Sequence, residues 1–231
     1  MNVLAAAGSI RFRRSLLAGL FCIFSLSAGS TGFAQSVEAA LGRSSYSQSH
    51  KSAITVFFTE IEEREIPVDL LLPKLEEGIA KRVPAPRVLD VLKREAGNLA
   101  EARELILRVQ GGRPLLSDRA SWARTANLLA GDFSMGEIEA LVKLCVSRAE
   151  TFRPATYLYA ALTDWGLTGD SALELVAALL DSSIPPDTYM GVMDLLAAGR
   201  RRRIAPEELL QRILEHLDHA ATVQELGKWI Y

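Results

Sequence analysis

His216 and His219 stand three residues apart, with Glu215 and Asp218 beside them. On a helix that step brings two imidazoles to one face, where they could supply part of a zinc site. A closed site needs further ligands, and no second His/Cys cluster accompanies the pair, so both rings are expected to be solvated. His50, in a polar stretch, is expected to be solvated too. Cys145 falls in register with Ile138, Leu141 and Val142, at the 0, 3, 4, 7 offsets of one helical face. A thiol in such apolar company has a raised pKa and is a poor nucleophile. Glycine loops that cradle phosphate, serine nucleophile elbows and zinc-protease helices are not found in the sequence. The acid pairs Glu62-Glu63 and Glu76-Glu77 read as solvated helix faces. No catalytic residue and no cofactor is expected, and an enzyme or metal-binding protein using His216 and His219 is the alternative.

The densest charge is Arg200-Arg201-Arg202-Arg203, directly after Gly199. Cations at a helix C-terminus complement its negative end. The same run could dock an anionic partner, either phospholipid headgroups or an acidic protein surface. Trp122, Trp165 and Trp229 are expected to fill gaps between helices, and Lys228-Trp229-Ile230-Tyr231 to cap the last layer of the core.

The elements that must position these residues read as short helices. Four starts resemble capping boxes, at Asn98–Glu101, Ser134–Glu137, Ser171–Glu174 and Thr222–Glu225. Three more place proline in the first turn, at Pro67, Pro186 and Pro206. Apolar periodicity between them predicts helices over 48–64, 67–80, 86–96, 98–109, 118–130, 135–149, 153–165, 171–182, 186–198, 206–218 and 222–230. No segment alternates with β-branched enrichment, so no strand is expected. Residues 35–47, rich in Ser and Gly, read as a flexible leader. Gln110-Gly111-Gly112-Arg113-Pro114 is the strongest internal break, near 110–117.

Two stretches echo one another. Counting from Gly78 and from Gly199, aliphatic residues recur at +5, +10, +11 and +14: Val83, Val88, Leu89 and Leu92, then Ile204, Leu209, Leu210 and Ile213. Each glycine is expected to end a helix in left-handed geometry, with an aliphatic anchoring the loop and proline opening the next helix. The segment Ile66–Pro84 resembles one found in uncharacterised exported bacterial helical proteins. That resemblance covers about a tenth of the chain. It implies a helical hairpin and carries no activity.

The N-terminus has the layout of a secretory signal. Arg11, Arg13 and Arg14 precede the apolar run Leu16–Leu26, and a small-residue stretch ends at Ala34. Cleavage between Ala34 and Gln35 is expected, by Sec or, given Arg13-Arg14, twin-arginine export. Cys22 lacks the small neighbours of a lipoprotein signal. Without residues 1–34, which hold three arginines and no acid, the net charge of −2 becomes −5. That balance argues against nucleic acid as a partner. Cys145 would be the one thiol left, so no internal disulfide can form. With 49% hydrophobic residues the chain can rest on an apolar core.

These observations predict an all-α domain over 48–231 of stacked antiparallel hairpins, either a short solenoid or an irregular bundle. Such a fold leaves an extended surface for another protein. The expected role is a periplasmic, non-enzymatic interaction or scaffold module whose partner is another envelope protein. Membrane contact after signal removal would be peripheral, through Arg200–Arg203.

Overall fold

The computed structural model describes residues 31–231 apart from Asp132; the signal features at Arg11 to Leu26 lie outside the described residues. Among the described residues there are twelve α-helices and no strand. They are α1 (Thr31–Gly42), α2 (Gln48–Glu63), α3 (Val68–Ala80), α4 (Ala85–Arg108), α5 (Arg113–Ser117) and α6 (Arg119–Leu129). There follow α7 (Met135–Cys145), α8 (Phe152–Trp165), α9 (Gly169–Asp181), α10 (Val192–Arg201), α11 (Pro206–His216) and α12 (Val223–Ile230). None is long and apolar enough to cross a membrane.

Three corrections concern element boundaries. The expected leader at 35–47 is helical over most of its length: Val37, Ala40 and Leu41 of α1 are buried, at helical spacing. The expected break at Asn98 is absent, since α4 runs unbroken for 24 residues and Asn98 lies inside it. A buried stripe from Val88 through Leu92, Ala96, Leu99, Ala102 and Leu105 holds the turns together, overriding the cap-like sequence. The cap of α9 is Thr168, whose hydroxyl accepts from the Ser171 amide; Ser171 itself is inside the helix. The Ser134 box is complete, with Ser134 Oγ accepting from Glu137 N and Glu137 Oε2 accepting from Ser134 N at 2.7 Å.

Four helix-to-helix corners share one backbone pattern. Taking the first residue as Ile61, Gly78, Leu162 or Gly199, its carbonyl accepts from the amide five residues on: Ile66, Val83, Leu167 or Ile204, at 2.9–3.1 Å. The residue at +4 is left-handed in every case, Glu65 (φ 57°), Arg82 (φ 54°), Gly166 (φ 111°) and Arg203 (φ 61°). The next helix begins at +7, at Val68, Ala85, Gly169 or Pro206. This is the Schellman way of satisfying the last carbonyls of a helix. The aliphatic at +5 anchors the turn, as expected.

The glycines do not play the part expected of them. Gly78 and Gly199 lie inside α3 and α10, and arginines occupy the left-handed positions. A Cβ on Gly78 would lie 2.6 Å from Val88 Cγ2, and one on Gly199 would lie 2.3 Å from Leu209 Cδ2. The glycines therefore let the following helix approach closely.

The main packing partners lie no more than three places apart in chain order. Helix α1 rests on α2 and α3, α4 on α6, α8 on α9, and α11 on α12. The buried side chains form two clusters, one from Val37 to Ala126 and one from Leu105 to Ile230. Helices α4 and α6 contribute to both, and Leu116 and Leu129 pack against both. Trp122 is buried with its indole N–H donating to the Leu99 carbonyl at 2.8 Å, tying α6 to α4.

Candidate functional site

His216 is the last residue of α11, and its imidazole stacks on Trp229 of α12, with ring centroids 5.9 Å apart and planes 26° apart. The His219 ring lies 6.5 Å from it, centroid to centroid. Among the described residues no group of three His, Cys, Asp or Glu side chains is placed to hold a metal ion. His216 Nδ1 is buried without a hydrogen-bond partner, so the ring is spent on packing against Trp229. Trp229 itself is 58% exposed, contrary to the expectation that it fills a gap. Ile230 is the buried member of the C-terminal tetrapeptide. Trp165 is partly buried against the larger cluster.

Cys145 closes α7 fully buried, and burial pushes its thiol up to about 11. At neutral pH it is protonated and enclosed, which matches the apolar role expected from its spacing. His50 is exposed at the start of α2, with Nδ1 3.0 Å from the Ser47 hydroxyl.

Sequence reading missed a half-buried polar junction between α7 and α8, at the start of α9. Tyr159 is fully buried, and its hydroxyl donates to Glu137 Oε1 at 2.5 Å. The Glu137 carboxylate is held below its ordinary pKa by the Ser134 hydroxyl first, then by Tyr159. Burial, reinforced by the carboxylate, pushes the phenol well up. A Cβ on Gly169 would come 2.5 Å from Glu137 Oε1, so the glycine that starts α9 leaves room for the pair. The capping box was legible in the sequence, but the tyrosine 22 residues further on was not. The junction fastens α7 to α8, and its carboxylate is already engaged by Ser134 and Tyr159.

The four arginines of the run are all exposed. Arg200 and Arg201 form the last turn of α10, where they face its negative end. Arg203 takes the left-handed position of the corner. The Arg202 guanidinium lies 4.3 Å from the centroid of the Tyr231 ring, a cation–π contact. The Tyr231 hydroxyl donates to the Leu195 carbonyl, and Arg212 donates to the Ile230 carbonyl at 3.1 Å. The C-terminus is thus fastened across α10 and α11.

A second basic corner was not singled out from the sequence. Between α3 and α4 lies a cavity of about 550 Å³ whose lining includes Lys74, Lys81, Arg82 and Arg87 around an apolar floor. Glu77 takes up both lysines, Lys81 at 2.5 Å and Lys74 at 3.4 Å, and this pairing, Lys81 first, holds its pKa low. Arg82 and Arg87 have no carboxylate within ion-pair distance among the described residues.

Comparison with protein-family models, curated proteins and solved structures gives no match.

Proposed function

We propose that this chain is an exported interaction or scaffold module of the bacterial envelope, working without catalysis. The observation that supports this most is the near-neighbour stacking of helical hairpins through four corners of one geometry. Such a stack buries the face that a lone hairpin cannot hide and leaves a long outer surface for another protein. The groups best suited to chemistry are already committed: Cys145 to the core, His216 to Trp229, and Glu137 to Ser134 and Tyr159. The signal-like residues 1–34 support export.

The test is crosslinking of the native protein in intact cells, followed by fractionation and mass analysis. The expected result is a periplasmic chain beginning at Gln35, in a crosslinked species of fixed stoichiometry with one envelope protein. An uncleaved cytoplasmic chain would overturn export. A periplasmic chain that stays monomeric and uncrosslinked would overturn the interaction role.

A further inference from the structure

The α3–α4 and α10–α11 corners differ from the other two in having a buried glycine beneath the following helix, Val88 over Gly78 and Leu209 over Gly199. Beside the second of these corners the chain's own C-terminal residue is seated. Tyr231 is fixed there by its hydroxyl on the Leu195 carbonyl and by Arg202 over its ring. Leu195 stands four residues before Gly199, and Arg202 three after it. The residues at the same steps from Gly78 are Lys74 and Lys81, and both line the open cavity of about 550 Å³. Where the later corner holds a tyrosine, the earlier one holds an open groove.

We infer that the α3–α4 groove takes an aromatic side chain from an acidic segment of a partner protein, a deepening that rests on the interaction-module reading above. The aromatic is indicated by Tyr231 at the matching corner and by the apolar floor, which includes Val88 and Val91. The acid is indicated by charge. Lys74, Lys81, Arg82 and Arg87 stand against Glu77 alone in the lining, and the two arginines are unpaired by carboxylate. A guanidinium fork matches a carboxylate in geometry as well as charge. The volume falls within the range of ordinary ligand sites, roughly 300–1,000 Å³. The chain's own residues 1–34 do not suit the groove, because they carry three arginines and no acid. Its own Tyr231 is held at the other corner.

The experiment titrates the full-length chain into a fluorescein-labelled hexapeptide, Glu-Glu-Tyr-Leu-Glu-Glu, and reads anisotropy. Saturable binding is expected, weakened about tenfold by Arg87→Glu and several-fold by Arg82→Gly. Replacing the peptide tyrosine by alanine should weaken it about tenfold, and replacing its glutamates by lysine should abolish it. The exposed Arg64→Glu variant is the charge control and should bind as the parent does. Thermal melts accompany each variant, and Arg82→Gly, which relieves a left-handed arginine, should melt no lower than the parent. Absence of saturable binding, or equal binding by parent, Arg82→Gly and Arg87→Glu, would overturn the proposal. So would binding to phosphatidylglycerol vesicles in place of the peptide. If the peptide fails while the crosslinked native complex persists, only the groove assignment falls; loss of the complex removes the interaction role as well.

Discussion

Replacing glycine by alanine inside a helix ordinarily stabilises it, by about 0.8–1 kcal/mol. Three helical glycines of this chain should answer the same substitution in opposite ways. Gly97 lies exposed in α4, and a Cβ there meets nothing within 4 Å, so Gly97→Ala should gain about 0.5–1 kcal/mol. Gly78 is buried, and its Cβ would lie 2.6 Å from Val88 Cγ2 and 3.2 Å from Cγ1. Carbon atoms rest at about 3.5–4.0 Å, so the overlap approaches 1 Å. Val88 is β-branched and stiff at χ1, so relief requires α3 and α4 to move apart. Overpacking of this kind costs about 1–3 kcal/mol, leaving Gly78→Ala destabilised by about 0–2 kcal/mol after the propensity gain. Gly199 has the shorter contact, 2.3 Å to Leu209 Cδ2, but that atom ends a side chain that can rotate. Its net loss should be smaller, about 1 kcal/mol or less. Thermal and urea melts followed by circular dichroism decide it, at about 2–4 °C per kcal/mol for a chain of this size. The expected order is Gly97→Ala above the parent, then Gly199→Ala, then Gly78→Ala. A rise in stability for Gly78→Ala would refute the close-approach account of these corners.

Tyr159→Phe removes a hydroxyl that donates to a carboxylate and should cost about 1.5–3 kcal/mol at pH 7. Glu137 has a folded pKa below its ordinary 4.5, so its contribution is complete above that value and fades as pH falls through the folded one. The gap between parent and Tyr159→Phe in urea melts should therefore narrow as pH falls below 4.5; a constant gap would show that the bond to the ionised carboxylate is not what was lost. Cys145 should resist iodoacetamide at pH 8 in the folded chain and react fully in denaturant, read by mass, because it is enclosed and its thiol sits at about 11. Arg203→Gly removes a left-handed arginine that costs about 1–2 kcal/mol relative to glycine. Offset by the entropy glycine adds to the unfolded chain, it should gain about 0.5–1 kcal/mol in the same melts, and a loss would locate a stabilising contact on that side chain.

What the sequence made legible follows the range of the interactions. The all-α class came from apolar spacing, and the Ser134 box came from residues one turn apart; both are local. Residues 35–42 read as a leader because Ser is common around them, while Val37, Ala40 and Leu41, which anchor α1, are only three among many small neighbours. The Asn98 break failed for the opposite reason: a polar cap signal was locally plausible, but a continuous buried stripe outweighed it. The pairing of Glu137 with Tyr159, and the seating of Tyr231 on Leu195 and Arg202, join residues 22, 36 and 29 apart, which no local spacing reveals.

The corners show where local and tertiary causes divide. Their aliphatic at +5 could be counted from the sequence, and the echo at Gly78 and Gly199 did so for two of the four; the helix start at +7 was counted at Pro206 alone. Which residue would be left-handed could not be counted, because Glu65, Arg82 and Arg203 occupy a position that intrinsic preference gives to glycine. There the backbone obeys the packing of the next helix, and the glycines sit where that helix presses hardest. A charged side chain held in the left-handed region is displayed at the tip of each such corner, outside the core. The fold that hides its apolar stripes hairpin by hairpin thus displays a cation at two of these corners, Arg82 and Arg203, and an anion, Glu65, at a third.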